Sequence, residues 1–167
     1  MSSDDNSDED LQSVLDALSP EERPWWEGIK RLSEASEEET RVMTDAEIYY
    51  AAVDVVAQKL QSDGNEILQA STTLGAEPAI WFKANNELKY IVITFGRYPA
   101  HAEPPVNAKD IIAQLKDQNA EGFWVGVGFA HELEPFDPNW DGGMDLMIGF
   151  GLMPSLGKPV PLAGLCQ

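Results

Sequence analysis

The sequence predicts an α+β domain in which a single mixed or antiparallel sheet of about five strands is flanked by two helices. Three observations lead to this prediction. A helical apolar pattern begins near residue 44, three strand-length apolar runs follow it, and a second helical pattern separates these from two further apolar runs. The order helix, three strands, helix, two strands is typical of the α+β class. We assign residues 44–167 to this domain and residues 1–43 to an acidic segment that precedes it.

The acidic segment is predicted to be partly disordered. Residues 1–10 hold five acids and little apolar surface, so burial cannot offset the entropy that ordering would cost. A short helix is predicted over residues 11–18, where apolar side chains recur at helical spacing, and a second helix begins at Ser19 or at Pro24. Ser33–Thr40 is acidic and weakly patterned, and we interpret it as a linker.

A capping box marks the first helix of the domain. Thr44 and Glu47 have the spacing at which each side chain accepts a hydrogen bond from the other's backbone, and Asp63-Gly64 marks the end of the helix. The turn-forming stretch Ala84–Glu87 separates two of the strands that follow and predicts a hairpin. The three strands are predicted over Glu66–Thr73, Ala79–Lys83 and Leu88–Phe95.

Glycine-rich apolar runs dominate the second half of the domain. Asn107 is predicted to cap the second helix, and the chain after Met153 is predicted to be irregular because it is rich in proline and glycine. Gly126 and Gly128 lie inside a strand that no helix follows, so they indicate a bulge or a close backbone approach and not a phosphate-binding loop. The last two strands are predicted over Phe123–Ala130 and Leu146–Leu152.

The net charge of −18 predicts the chemistry of the partner. The chain holds 29 Asp and Glu against 11 Lys and Arg, and residues 1–44 and residues 45–167 each contribute −9. A field of this sign repels nucleic-acid phosphates and anionic lipids, and it attracts basic surfaces. We therefore predict a basic protein partner, with no direct nucleic-acid binding and no membrane binding.

The composition excludes several other classes. Cys166 is the single cysteine, which excludes an intrachain disulfide and a thiolate metal cluster. No apolar run approaches the roughly 20 residues of a membrane-spanning helix, and the residues after Met1 lack the pattern of a secretory signal. These features predict a cytoplasmic protein.

One loop has the spacing that opens a calcium-binding loop. Asp137, Asn139 and Asp141 alternate ahead of a glycine, and Asp145 occupies the ninth position. The twelfth position is Ile148, where a bidentate Glu is required. The alternative is an acidic turn, because these residues also favour turns. Apart from this Ca²⁺ candidate, no cofactor is predicted.

Two histidines raise an enzymatic alternative. His101 and His131 each follow a predicted strand, and with Glu132, Asp141 and Asp145 they would form a metal or acid–base site if their loops met. Histidines at the ends of strands are also common on surfaces without any catalytic role. We therefore predict no catalytic residues and keep a small metal-dependent hydrolase as an alternative.

Paired tryptophans and loop acids are the predicted partner-binding residues. Trp25 and Trp26 are adjacent, so on a helix they point about 100° apart and one apolar stripe cannot easily bury both. They are interpreted either as residues that dock the helix or as exposed anchors for a partner. The acids of the predicted binding surface are Glu132, Glu134, Asp137, Asp141 and Asp145.

The element order from Thr44 to about Ala130 resembles the core of the PD-(D/E)XK nuclease-like superfamily. The resemblance implies an acid within Ala79–Phe82 and a Glu-x-Lys pattern over Val92–Thr94, but neither is present. Glu47 is the single position that keeps an acid typical of that family. The resemblance therefore implies a shared scaffold without the acids that hold Mg²⁺.

The overall arrangement is also similar to small acidic type III secretion chaperones, and that resemblance implies a homodimer with a basic or apolar client. Together the observations predict a non-catalytic interaction protein that binds a basic partner. The sharper hypothesis is an immunity or inhibitor protein that presents carboxylates to a nucleic-acid enzyme or toxin. A secretion-type chaperone and the small hydrolase remain as alternatives.

Overall fold

A computed structural model describes residues 23–75, 77–136 and 143–166, and it confirms the α+β class. The tail of residues 1–10, the helix of residues 11–18 and most of the Ca²⁺ candidate lie outside the described residues. Within them, the helices are α1 (Arg23–Glu34), α2 (Asp45–Ser62), α3 (Ala108–Leu115) and α4 (Leu162–Leu165). The strands are β1 (Glu66–Ala70), β2 (Ile80–Ala84), β3 (Glu87–Arg97), β4 (Glu121–His131), β5 (Leu152–Leu156) and β6 (Val160–Pro161).

The strands form one mixed sheet in the order β1-β2-β3-β4-β5, and β6 also pairs with β4. All neighbours are antiparallel except β3 and β4, which are parallel and are connected through α3. This crossover sets Gly96 of β3 beside Gly128 of β4, and Ser155 of β5 lies on the other side of Gly128. Three small residues therefore lie side by side across the sheet.

Helix α2 covers one face of the sheet and forms the larger core. Ile48, Ala52 and Val53 are at most 1% exposed and pack with the β2–β4 side chains on that face. The predicted capping box is present, because Thr44 Oγ1 accepts from the backbone of Glu47 and the Glu47 carboxylate accepts from the backbone of Thr44. The helix ends at Ser62, next to the predicted Asp63-Gly64 stop.

Helices α3 and α4 cover half of the opposite face. Tyr90 and Val92 pack there with Ile111 of α3 and Leu162 of α4. Tyr90 lies across Gly122, where an added Cβ would be 2.4 Å from the tyrosine hydroxyl. The other half of this face has no helix over it among the described residues, and the cavity described below lies there.

The β2–β3 hairpin is tighter than predicted. Ala84 pairs with Glu87, so the turn contains Asn85 and Asn86 alone. Both asparagines have positive φ, of 54° and 66°. Asparagine tolerates this left-handed backbone conformation, which a two-residue turn between twisted strands requires.

The prediction of a strand over Leu146–Leu152 is wrong. The prediction that the chain after Met153 is irregular is also wrong. Leu146 is buried in the core. Gly149 lies so close to the N-terminal segment that an added Cβ would be 2.6 Å from the Cβ of Glu39. This run therefore packs as a loop against the N-terminal segment. The strand is instead Leu152–Leu156. Pro154 is tolerated in it because β5 is an edge strand.

The described part of the acidic segment is anchored to the domain, which corrects the linker interpretation of Ser33–Thr40. The backbone N–H of Thr40 donates to the carbonyl of Ser36, and the Glu39 carboxylate accepts from the Ser36 hydroxyl. The Gly149 N–H donates to the Glu39 carbonyl at 2.8 Å, which joins this stretch to the loop ahead of β5. We call Ser33–Thr40, which comprises the last two residues of α1 and the turn that follows, the acidic turn.

Candidate functional site

A cavity of about 630 Å³ lies on the half of the sheet that no described helix covers. Gly126, Gly128 and Ala130 of β4 form its floor. One wall is the segment Tyr98–Ala102 after β3, and the other is the turn between β5 and β6. The cavity is therefore open to solvent but bounded on three sides by backbone.

Two glycines let the first wall lie directly on the sheet. A Cβ on Gly96 would be 2.6 Å from the carbonyl carbon of His101, and a Cβ on Gly126 would be 2.9 Å from the Cβ of Ala102. Of the two glycines of β4 for which a bulge or a close backbone approach was predicted, Gly126 thus lies in close contact with the neighbouring segment. Gly128 differs, because the nearest atoms to an added Cβ are those of Ser155 at 3.9 Å. The space above Gly128 is the cavity itself.

Hydrogen bonds fix the end of the same wall. The Trp124 indole Nε1 donates to Thr94 Oγ1 at 2.8 Å, and Thr94 Oγ1 donates to the carbonyl of Glu103 at 2.7 Å. Trp124 also lines the cavity. The chain Trp124–Thr94–Glu103 therefore connects the floor to the segment that forms the wall.

Tyr98 and Phe136 form an aromatic border, with ring centroids 4.8 Å apart in an edge-to-face arrangement. His101 and Lys158 are the charged or titratable basic side chains of the lining, and Ser155 adds a hydroxyl. Among the described residues, no Asp or Glu lines the cavity.

The predicted partner-binding acids Glu132 and Glu134 have structural contacts. Glu134 is 5% exposed, and its Oε2 accepts from the backbone N–H of Met144 at 2.7 Å, so it is not available on the surface. Glu132 Oε2 accepts from the Gly151 N–H at 2.7 Å, and its Oε1 lies 3.4 Å from Arg31. Both carboxylates therefore connect the end of β4 to other parts of the fold.

Trp25 docks α1 onto this corner. Its Nε1 donates to the carbonyl of Leu133 at 2.9 Å, and Gly28 brings the helix against the Leu133 side chain. Trp25 remains 36% exposed, and Trp26 is half-buried with its ring centroid 5.0 Å from that of Trp25. The hydrogen bond of its indole nitrogen thus agrees with Trp25 as a residue that docks the helix, while part of its ring stays accessible.

His101 and His131 lie on opposite faces of the sheet. His131 follows Ala130, which lines the cavity, so alternation along β4 directs His131 to the other side, where its ring contacts Phe150. His131 is fully buried, and its Nδ1 accepts from the Leu133 N–H at 2.9 Å. Burial lowers its pKa, although the neighbouring carboxylates of Glu132 and Glu134 act in the opposite direction. The structure does not bring the two histidines together.

The residues that would bind a metal are only partly described. Asp145 is exposed, whereas Asp137, Asn139 and Asp141 lie outside the described residues. Within residues 23–75, 77–136 and 143–166, no group of three His, Cys, Asp or Glu side chains is arranged to hold a metal ion. The Ca²⁺ prediction stays a prediction.

The nuclease-like positions carry structural side chains. Ala79 and Val92 are each 2% exposed in the two cores. Glu47 accepts two hydrogen bonds from the Arg41 guanidinium at 3.1 Å as well as those of the capping box. The hydrogen bonds from Arg41 and Thr44 lower the pKa of Glu47 to about 2. This carboxylate is therefore fully engaged in holding the start of α2.

Comparison with known proteins identifies a family without assigning an activity. No curated protein and no solved structure matches the chain. In the described part of the chain, no helix is both long enough and apolar enough to cross a bilayer. Residues 46–151, which extend from the second residue of α2 past the end of β4, match the family described as Domain of unknown function (DUF8840). This match covers more than half of the sequence, and the chain therefore belongs to the DUF8840 family.

Proposed function

We propose that this protein is a non-catalytic interaction protein whose acidic turn binds a basic protein partner. The observation that carries the proposal is the anchoring of the acidic turn. Its backbone is hydrogen-bonded internally and to Gly149, so its carboxylates project from an ordered scaffold. Charges that are held in a defined arrangement select a partner by complementarity, whereas charges on a disordered chain act mainly through their number.

The two arginines that flank the acidic turn each contact a carboxylate outside it. Arg31 lies 3.4 Å from the Glu132 carboxylate and donates to the carbonyl of Gly149 at 2.6 Å. Arg41 forms its two-pronged contact with Glu47 at 3.1 Å. Each arginine is therefore held by a carboxylate outside the turn, although the pKa of Arg41, which is raised mainly by Glu47, is also raised by the nearby charge of Glu38.

Three carboxylates remain for a partner. Glu34, Glu37 and Glu38 are exposed, and none of them forms an ion pair with another described residue. Because like charges in one region repel each other, a basic surface that contacts all three gains attraction and relieves that repulsion. The sharper form of the proposal is an immunity or inhibitor protein whose carboxylates occupy a phosphate-binding surface of a nucleic-acid enzyme.

The test begins with purification of the native protein and identification by mass of what co-elutes. The association rate of the purified partner is then measured by stopped flow across a salt series. We expect a steep fall with salt, and a reduction on the order of tenfold at low salt for the triple variant Glu34→Gln, Glu37→Gln, Glu38→Gln. A rate that does not change with salt or with this variant would contradict the proposal. An apolar client bound equally well at high salt would favour the secretion-chaperone alternative instead.

A further inference from the structure

We propose that the cavity beside β4 and β5 is a binding site for a small apolar molecule that carries one anionic group. This inference is independent of the acidic turn, because the cavity shares no residue with it. At about 630 Å³, the cavity has the size of sites that hold small organic ligands, which range over roughly 300–1,000 Å³. It is also concave, with a sheet as its floor and chain segments as two walls.

The lining is suited to the apolar part of such a molecule. Aromatic and aliphatic side chains dominate it, and the backbone beneath them belongs to paired strands, so few unsatisfied polar groups face the ligand. Met153 and Ser155 are exposed on β5 although they lie on the cavity side of the strand. The apolar side chains of the lining are Tyr98, Pro99, Trp124, Phe136, Met153 and Val160.

Gly128 keeps the cavity open, although its backbone does not require glycine. Its φ does not lie in the left-handed region, and an added Cβ would meet no atom closer than 3.9 Å. Glycine inside a strand is destabilising by roughly 0.5–1 kcal/mol relative to alanine. Gly96 and Gly126 are required by the adjacent wall, but no such contact accounts for Gly128. A close-fitting ligand accounts for it, because a side chain here would occupy the ligand's volume.

The charge of the lining defines the polar part of the ligand. Lys158 is exposed at the cavity and forms no ion pair with any described residue, and His101 lies on the opposite wall. No carboxylate of residues 23–75, 77–136 and 143–166 lines the cavity. A carboxylate or sulfonate on the ligand would pair with the Lys158 ammonium while its apolar body lies over Gly128.

Two fluorescent probes with the same aromatic body test both parts of the proposal. One is 8-anilinonaphthalene-1-sulfonate, which is anionic, and the other is N-phenyl-1-naphthylamine, which is neutral. We expect both to bind the full-length protein in the cavity. Lys158→Gln should weaken binding of the anionic probe on the order of tenfold and leave the neutral probe unchanged, because a charge-assisted hydrogen bond is lost. The matched control Lys109→Gln removes an exposed lysine of α3 and should change neither affinity.

Filling the cavity gives the second test. Gly128→Leu should abolish binding of both probes, and its midpoint of thermal unfolding should not fall below that of the wild-type protein, because the added Cβ meets open space. Ser155→Leu fills the same volume from β5 and guards against a folding defect in the first variant. Unchanged affinity of both probes for both filling variants would overturn the site. Equal effects of Lys158→Gln on the two probes would overturn the anionic assignment.

Discussion

Replacing Gly28 by alanine tests whether α1 is docked on the domain as the structure describes. Gly28 lies inside α1, and an added Cβ would be 2.2 Å from Cδ2 of Leu133. Leu133 is 5% exposed, so its side chain cannot move into solvent without uncovering the corner that it fills. The methyl group therefore has to displace either the leucine or the whole helix.

The magnitude follows from two opposing contributions. Alanine is favoured over glycine in a helix interior by about 1 kcal/mol, whereas overpacking of a buried contact costs about 1–3 kcal/mol. The free energy of unfolding should therefore fall by up to about 2 kcal/mol in Gly28→Ala. An undocked helix would show the opposite sign, because the propensity gain of about 1 kcal/mol would stand alone.

Urea denaturation followed by tryptophan fluorescence measures this difference. Gly164→Ala in α4 is the matched control, because a Cβ there meets no atom within 4 Å, and it should be neutral or stabilising. Leu133→Ala alone should cost about 2–5 kcal/mol, and Gly28→Ala in that background should recover part of the loss. If Gly28→Ala alone stabilises the protein as much as Gly164→Ala does, α1 is not packed against Leu133.

Three further predictions concern the capping box, the Tyr90 contact and His131. Because the pKa of Glu47 is lowered from 4.5 to about 2, Glu47→Gln should reduce the free energy of unfolding above pH 4.5. Acid titrations of both proteins should show the difference between their unfolding free energies vanishing as the pH falls toward 2. Gly122→Ala should cost about 1–3 kcal/mol in chemical denaturation, because its methyl group overlaps the Tyr90 ring; a neutral effect would contradict that packing. Burial lowers the pKa of His131, so NMR should show its imidazole titrating below pH 6.5. As the pH falls, His131 therefore gains its proton in the unfolded chain before it does so in the folded protein, and the folded state loses stability. Titration at or above pH 6.5 would contradict the burial of His131.

The local features of the fold could be predicted because each depends on neighbouring residues. The capping box of Thr44 and Glu47 and the hairpin turn at Asn85 and Asn86 are encoded within four residues, and both are present. The last strand was misplaced because the apolar run Leu146–Leu152 has the composition of a strand. Its position depends on contacts with the N-terminal segment, such as the hydrogen bond from Arg31 to Gly149, whose partners are 118 residues apart in the sequence.

The candidate site could be predicted only in part for the same reason. Gly126 and Gly128 signalled a close approach, but the cavity depends on the parallel register that sets Gly128 beside Gly96. Glu134 reads as a surface acid in the sequence, yet it is buried because it accepts a hydrogen bond from the backbone of Met144. Neither arrangement has a local pattern that reveals it.

We propose that carboxylates in a fixed arrangement, and not the total charge, select the basic partner. Two variants of equal net charge separate these two possibilities: Glu34→Gln, Glu37→Gln, Glu38→Gln in the acidic turn, and Asp4→Asn, Asp5→Asn, Asp8→Asn near the N-terminus. Each removes the same number of negative charges, so a uniform field would slow association of the partner equally in both. We expect the first variant to associate with the partner several-fold more slowly than the second at about 0.05 M salt, where the screening length exceeds about 10 Å. Equal association rates for the two variants would contradict it.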